Sequence, residues 1–254
     1  MDALTAGFAQ ALGIAGVVLC GSVLQRVSGM GFGLLVGSVL SIMLGPIEGV
    51  LIVNIFALAT SIVTTYSMRA HIDFQRLKFI APFLLVGSIP GMYLIARTGT
   101  GLLQIIVGSV LLFSLALVVV GKKFLPPIRR MAPAAVAGAV AGFTSMIIGA
   151  GGPAITVYAQ ASKWDHRSFS STLQPILLLA ATISVSIKLV VLGFAPVQQT
   201  AVSVWVLGTV GMFVGTWIGT RLAGKIPRDK ARSFTLVIAT LGGISALIRG
   251  VAAL

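Results

Sequence analysis

The sequence predicts an all-α, polytopic membrane protein built from two inverted repeats. Each repeat is expected to hold a Gly-broken helix pair plus three transmembrane helices. Three observations lead there: apolar runs close to membrane-span length recur along the chain, the two halves match under a constant shift, and the basic residues cluster in four short segments. The 254 residues are 57% hydrophobic and 9% charged, with mean hydropathy +1.07. A soluble domain carries about 25% charged residues, so a soluble helical protein is set aside.

The elements follow from the apolar runs at 4–25, 30–45, 47–68, 79–96, 101–120, 131–148, 152–162, 169–192, 199–220 and 233–253. Two of them, 30–45 and 152–162, are short, and each follows a glycine-rich break: "SGMGFG" at 28–33 and "GAGGP" at 149–153. The polar segments between the runs are brief, so no separate soluble domain is expected. The N-terminus has no basic stretch, and no cleavable signal is read there. One cysteine, Cys20, excludes an internal disulfide. His71 and His166 match no metal-ligand spacing, so neither metal nor cofactor is expected.

A shift of 120 places Gly29 on Gly149, Gly31 on Gly151 and Asn54 on Gln174. A shift of 124 places Gly87 on Gly211, Gly91 on Gly215 and Arg97 on Arg221. A loop insertion of four residues separates the two registers. The first repeat is therefore residues 1–121, the second 131–254, and 122–130 a linker, all within one membrane domain.

Fourteen of the eighteen Lys and Arg fall in four segments. These hold Arg69, Arg76 and Lys78; Lys122, Lys123, Arg129 and Arg130; Lys163 and Arg167; and Arg221, Lys225, Arg228, Lys230 and Arg232. The positive-inside rule assigns all four to the cytoplasm. The +13 net charge thus reports topology and not nucleic acid. Segments 44–49, 97–100 and 193–200 face outward. Residues 131–162 begin and end inside; as one helix they would be about 48 Å long, against a core of about 30 Å. They are expected to enter and turn back at "GAGGP". Helix 47–68 starts outside, so the first pair is expected to enter from outside and return there. Both termini are then outside, and the odd number of segments per half inverts the second half.

A break at membrane depth is tolerated where backbone is buried in protein or lines a wet cavity. Gly supplies φ > 0, and Pro153 suits a first helical turn. Both breaks are read as a turn followed by a helix N-terminus carrying free N–H groups and about half a positive charge. Two such ends facing each other near the midplane form an anion site. Close packing of small residues is the alternative use of these glycines. Arg26 precedes the first break and is either an anion ligand or a snorkelling side chain. Lys188 lies inside helix 169–192 toward its outer end and either snorkels to the surface or serves as a pathway residue. Asn54 and Gln174 each lie about two turns inside their helices; they either bind substrate or tie neighbouring helices. Glu48 is read as a dipole partner at a helix start and not as a proton carrier. The expected substrate-binding set is Arg26, Ser28, Gly29, Gly31, Gly33, Asn54, Gly149, Gly151, Gly152, Pro153 and Gln174.

Glu48 is the single plausible intramembrane carboxylate, whereas proton- or sodium-coupled carriers rely on such acids. An anion leaving a negative-inside cell gains about 2.3 kcal/mol per charge per 100 mV. Export fits better than concentrative uptake. A channel on the same site is the alternative. An intramembrane enzyme needs a clustered acid, His or Ser constellation, which the apolar runs lack.

"GMGFGLLVGSVLSIMLGPIEGVLIVN", "AGFTSMIIGAGGPAITVYAQASKWDHRSFSSTLQ" and "GTWIGTRLAGKIPRDKARSFTLVIATLGGISAL" resemble the sulfite exporter TauE/SafE family of membrane permeases over nearly the whole chain. Phe32 stands where a third glycine is common in that family. The resemblance implies a multi-pass protein of the cell membrane whose partners are the bilayer and a small sulfur-containing anion: sulfite, thiosulfate or a small organosulfonate.

Overall fold

The computed structural model describes residues 2–29, 31–124, 131–223 and 225–253. Arg129, Arg130 and most of the 122–130 linker, Pro126 included, lie outside the described residues. The helices are α1 (Asp2–Ser28), α2 (Phe32–Leu44), α3 (Pro46–Met68), α4 (Phe74–Arg97), α5 (Thr100–Phe124), α6 (Ala132–Ile148), α7 (Gly152–Ala161), α8 (His166–Leu192), α9 (Ala195–Gln199), α10 (Val202–Leu222) and α11 (Arg228–Ala252), with a 3-10 turn at Arg69–His71. No strand occurs among the described residues.

Helix starts depart from the apolar runs where a cap recruits polar residues. The Asp73 side chain accepts from Arg76 N at 3.0 Å, so α4 begins at Phe74 and not at 79. Asp165 accepts from Arg167 N at 3.1 Å and Ser168 N at 3.0 Å, so α8 begins at His166 and not at 169. A capping carboxylate satisfies N–H groups that the first turn leaves orphaned and complements the helix dipole. Pro46 is the first residue of α3 and Pro153 the second of α7, where the missing N–H breaks no helical bond. Among the described residues, seven helices are long and apolar enough to cross a membrane, α1 among them.

The packing is paired. The helix α1 lies along α10, α4 along α6, α5 along α11 and α3 along α8. Glycines set the closest pairs. Gly87 lies against the Ala139 carbonyl and Gly91 against that of Phe143. Gly211 lies against the Ala15 carbonyl and Gly215 against that of Leu19. Every member of the second set is displaced by 124 from its counterpart in the first, so α4–α6 and α10–α1 share one register. Both pairs run parallel, and a Cβ at any of these glycines would force the backbones apart. The α5–α11 contact is antiparallel and reciprocal: Gly108 meets Gly243, and Gly101 meets Gly250.

The helices α3 and α8 are antiparallel. Asn54 Nδ2 donates to Ser184 Oγ at 2.8 Å, while Asp73 N, just past the other end of α3, donates to Thr172 Oγ1 at 2.8 Å. These pairings bring the basic segments 69–78, 163–167 and 221–232 to one end of the bundle. Cavity-lining contacts join the ends of α1 and α3 to the start of α8 there, and Arg26 Nε donates to Thr220 Oγ1 at 3.0 Å. The starts of α1, α5 and α10, α9 and the end of α11 gather at the opposite end. The helices α2 (13 residues) and α7 (10 residues) are about 20 Å and 15 Å long. Neither is long enough to cross a ~30 Å core.

Candidate functional site

The two breaks are built alike. Gly29 (φ +80°) and Gly149 (φ +71°) cap α1 and α6 in the left-handed region, where a Cβ is disfavoured. Gly29 N donates to Gln25 O at 2.8 Å, and Gly149 N to Ser145 O at 3.0 Å. Gly151 is right-handed (φ −82°), so its use is close approach to Ala141 and not an unusual φ. The breaks touch: Gly33 packs on Gly149 O and Ala150 Cα, and Gly37 on Ile148 O.

Between them lies a cavity lined by Gln25, Gly31, Phe32, Gly33, Leu34, Asn54, Ala57, Thr60, Ser61, Ser145, Gly149, Ala150, Gly151, Gly152, Pro153, Leu177 and Ala181. Many of these are pairs 120 apart: 25 and 145, 31 and 151, 32 and 152, 33 and 153, 57 and 177, 61 and 181. The space open to water-molecule centres is about 40 Å³, above the ~10–15 Å³ that one water needs. No charged side chain lines it among the described residues. The N-termini of α2 and α7, which carry partial positive charge, both border it.

Those two ends are not equivalent. Gly31 N and Phe32 N donate to Gln25 Oε1 at 3.1 Å and 3.2 Å, so part of the expected free N–H set of α2 is already satisfied. No side chain caps α7. Gln25 is the residue that the sequence did not single out. It lies one turn before Gly29, and its counterpart at the 120 shift is Ser145, whose carbonyl also accepts from Asn54 Nδ2 at 3.3 Å.

Asn54 is fully buried and ties α3 to α6 and α8, while its Oδ1 has no hydrogen-bond partner. Gln174, also with an orphaned carbonyl oxygen (Oε1), is elsewhere. It lines a second cavity of about 120 Å³ toward the basic end, with Gln25, Arg26, Val27, Ser28, Gly29, Thr64, Met68, His166, Phe169, Ser170 and Leu173. The two amides do not share a depth. Each is eight residues past the start of its helix, about 12 Å, but the helices are antiparallel, so they lie on opposite sides of the centre. The expected set thus divides. Gly31, Gly33, Asn54, Gly149, Gly151, Gly152 and Pro153 line the central cavity, and Arg26, Ser28, Gly29 and Gln174 the one beside it. Gln25 lines both.

Lys188 lines neither of these cavities and is 1% exposed. Glu48 is half-buried in the first turn of α3, where it complements the helix dipole. A roomier hollow than either cavity is an apolar groove on the bundle's outside, bounded by Phe113, Leu117, Val136 and Val140. It offers no converging polar groups.

Compared with known families, the chain matches the family model described as sulfite exporter TauE/SafE over residues 14–246. No curated protein and no solved structure matches it. The match agrees with the seven apolar helices of membrane-crossing length found among the described residues. The protein is a multi-pass membrane transporter, and its chain belongs to the sulfite exporter TauE/SafE family.

Proposed function

We propose that the protein exports a sulfur-containing anion (sulfite, thiosulfate or a small organosulfonate) by alternating access between two inverted repeats. The observation that carries this is the central cavity, where the N-terminal ends of α2 and α7 meet with no acidic side chain. Helix N-termini favour oxyanions, and an uncapped α7 leaves N–H groups for one. The Oδ1 of Asn54 is an acceptor, so it suits a protonated oxyanion or a hydrating water, and its role differs from that of the N–H donors.

The inverted repeat is supported by the parallel α1–α10 and α4–α6 pairs in one register, the antiparallel α3–α8 and α5–α11 pairs, and the 120-residue spacing around the cavity. In this reading residues 1–121 and 131–254 are the repeats. The basic end is cytoplasmic and both termini are outside. The cavity holding Arg26 and Gln174 is the cytoplasmic approach, where the guanidinium attracts the anion before it reaches the breaks.

Purified protein in liposomes loaded with radiolabelled sulfite, thiosulfate or ethanesulfonate tests this. Efflux of at least one, accelerated by a potential that is negative inside the liposome, is expected. Unitary current steps would assign a channel instead. No efflux of any of the three anions would overturn the reading.

A further inference from the structure

Lys188 is a long cationic side chain, 1% exposed, whose Nζ has no hydrogen-bond partner. No carboxylate among the described residues lies within ion-pair distance of it; the ion pair found is Arg76 with Asp73. Such burial excludes snorkelling, which requires the ammonium to reach water. An uncompensated charge in a low-dielectric interior is strongly unfavourable, and ionisable groups within a membrane bundle mark ion pathways.

The position of Lys188 relative to the breaks gives that cost a use. Leu177 and Ala181 line the central cavity. Ser184 accepts from Asn54, itself a cavity residue, and donates to Met146 Sδ at 3.6 Å. Leu177, Ala181, Ser184 and Lys188 follow the spacing i, i+4, i+7, i+11, one stripe of α8. Lys188 is about 10 Å along the axis from Ala181, away from the basic end. The Cα–Cβ bond of a helical residue tilts toward the helix N-terminus, which here is the Ser184 side. Its neighbour Ile187 packs against a cluster that includes Leu34, Ile147, Ile148 and Ala150, residues that form or flank both breaks.

We infer that Lys188 is the cation of a second anion site, on the far side of the breaks from Arg26, which takes a small oxyanion such as sulfite or a sulfonate. Arg26 and Lys188 then bracket the uncharged central cavity. The direction of travel rests on the export reading; the site itself rests on the buried, unpartnered Lys188 Nζ and on the stripe of α8 that joins it through Ser184 to the central cavity.

The test is thermal unfolding of the purified full-length protein in detergent, titrated with sodium sulfite and, separately, sodium ethanesulfonate against sodium chloride at equal ionic strength. Wild type, Lys188→Met and Lys188→Gln are compared. Without added anion Lys188→Met is expected to melt higher than wild type, because it removes an unpaired buried charge. With anion, wild type gains stability by mass action, and both variants bind at least tenfold more weakly. A purely structural lysine gives the opposite first result. Equal anion affinity in wild type and variants, no stabilisation of wild type by either anion, or failure of both variants to fold overturns the site. Liposome efflux separates the two proposals. Wild-type efflux with unchanged Lys188 variants rejects this site and leaves export standing. Lys188-dependent stabilisation without efflux keeps the site and rejects export.

Discussion

Gly33 packs directly on the carbonyl oxygen of Gly149, so the two helix breaks, remote in sequence, are in backbone contact. A side chain at position 33 has no room, and the cavity beside the contact takes its shape from it.

Gly33→Ala is therefore expected to lower stability by about 1–3 kcal/mol, the usual range for overpacking, and to abolish anion efflux. Gly16→Ala is the control, because a Cβ there meets nothing within 4 Å. Thermal melts of both variants decide it: a wild-type melt for Gly33→Ala would remove the close contact.

Asn54→Ala removes donations to Ser145 O and Ser184 Oγ. Interhelical bonds of this kind contribute about 0.6 kcal/mol each within membranes, so a loss on the order of 1 kcal/mol is expected. Asn54→Asp puts a negative charge beside the proposed anion site and should reduce sulfite binding by more than its effect on stability accounts for. Equal sulfite affinity in wild type and Asn54→Asp would exclude Asn54 from the site.

Arg26→Gln is expected to cut efflux at least tenfold, about 1.4 kcal/mol, with insertion retained. Because Arg26 also bonds Thr220, Thr220→Val is the companion variant and should transport normally. If Arg26→Gln transports as wild type does, the arginine is only a tie between α1 and α10.

Orientation is tested by cysteine labelling in a Cys20→Ala background, since the native Cys20 is exposed. Gln198→Cys should react with an impermeant reagent applied to intact cells, and Ala70→Cys, at the basic end, should react only after lysis. The reversed pattern would turn the whole assignment inside out.

Much of this protein was determined by the sequence alone. Composition and run length specify a polytopic helical bundle, because hydrocarbon demands long apolar helices with internally satisfied backbone. The breaks at 29 and 149 were legible because glycine ends a helix with φ > 0 at little cost. The register of 124 was legible because close-packed glycines recur wherever the same helix contact recurs. The family resemblance rested on these same glycine patterns, and the family match covers the residues that carry them.

Tertiary structure decided how the polar groups are shared out. Gln25 spends its carbonyl on the N-terminus of α2, and no local pattern predicts which amide reaches which N–H. Asn54 and Gln174 look equivalent along the chain, yet antiparallel helices carry them to opposite sides of the centre. Lys188 looked able to reach water from about one turn inside its helix end, but the neighbours packed around α8 bury it. Periodicity reports which face of a helix is apolar. Which partner that face meets, and whether a polar atom on it is satisfied, depends on contacts between residues more than a hundred positions apart.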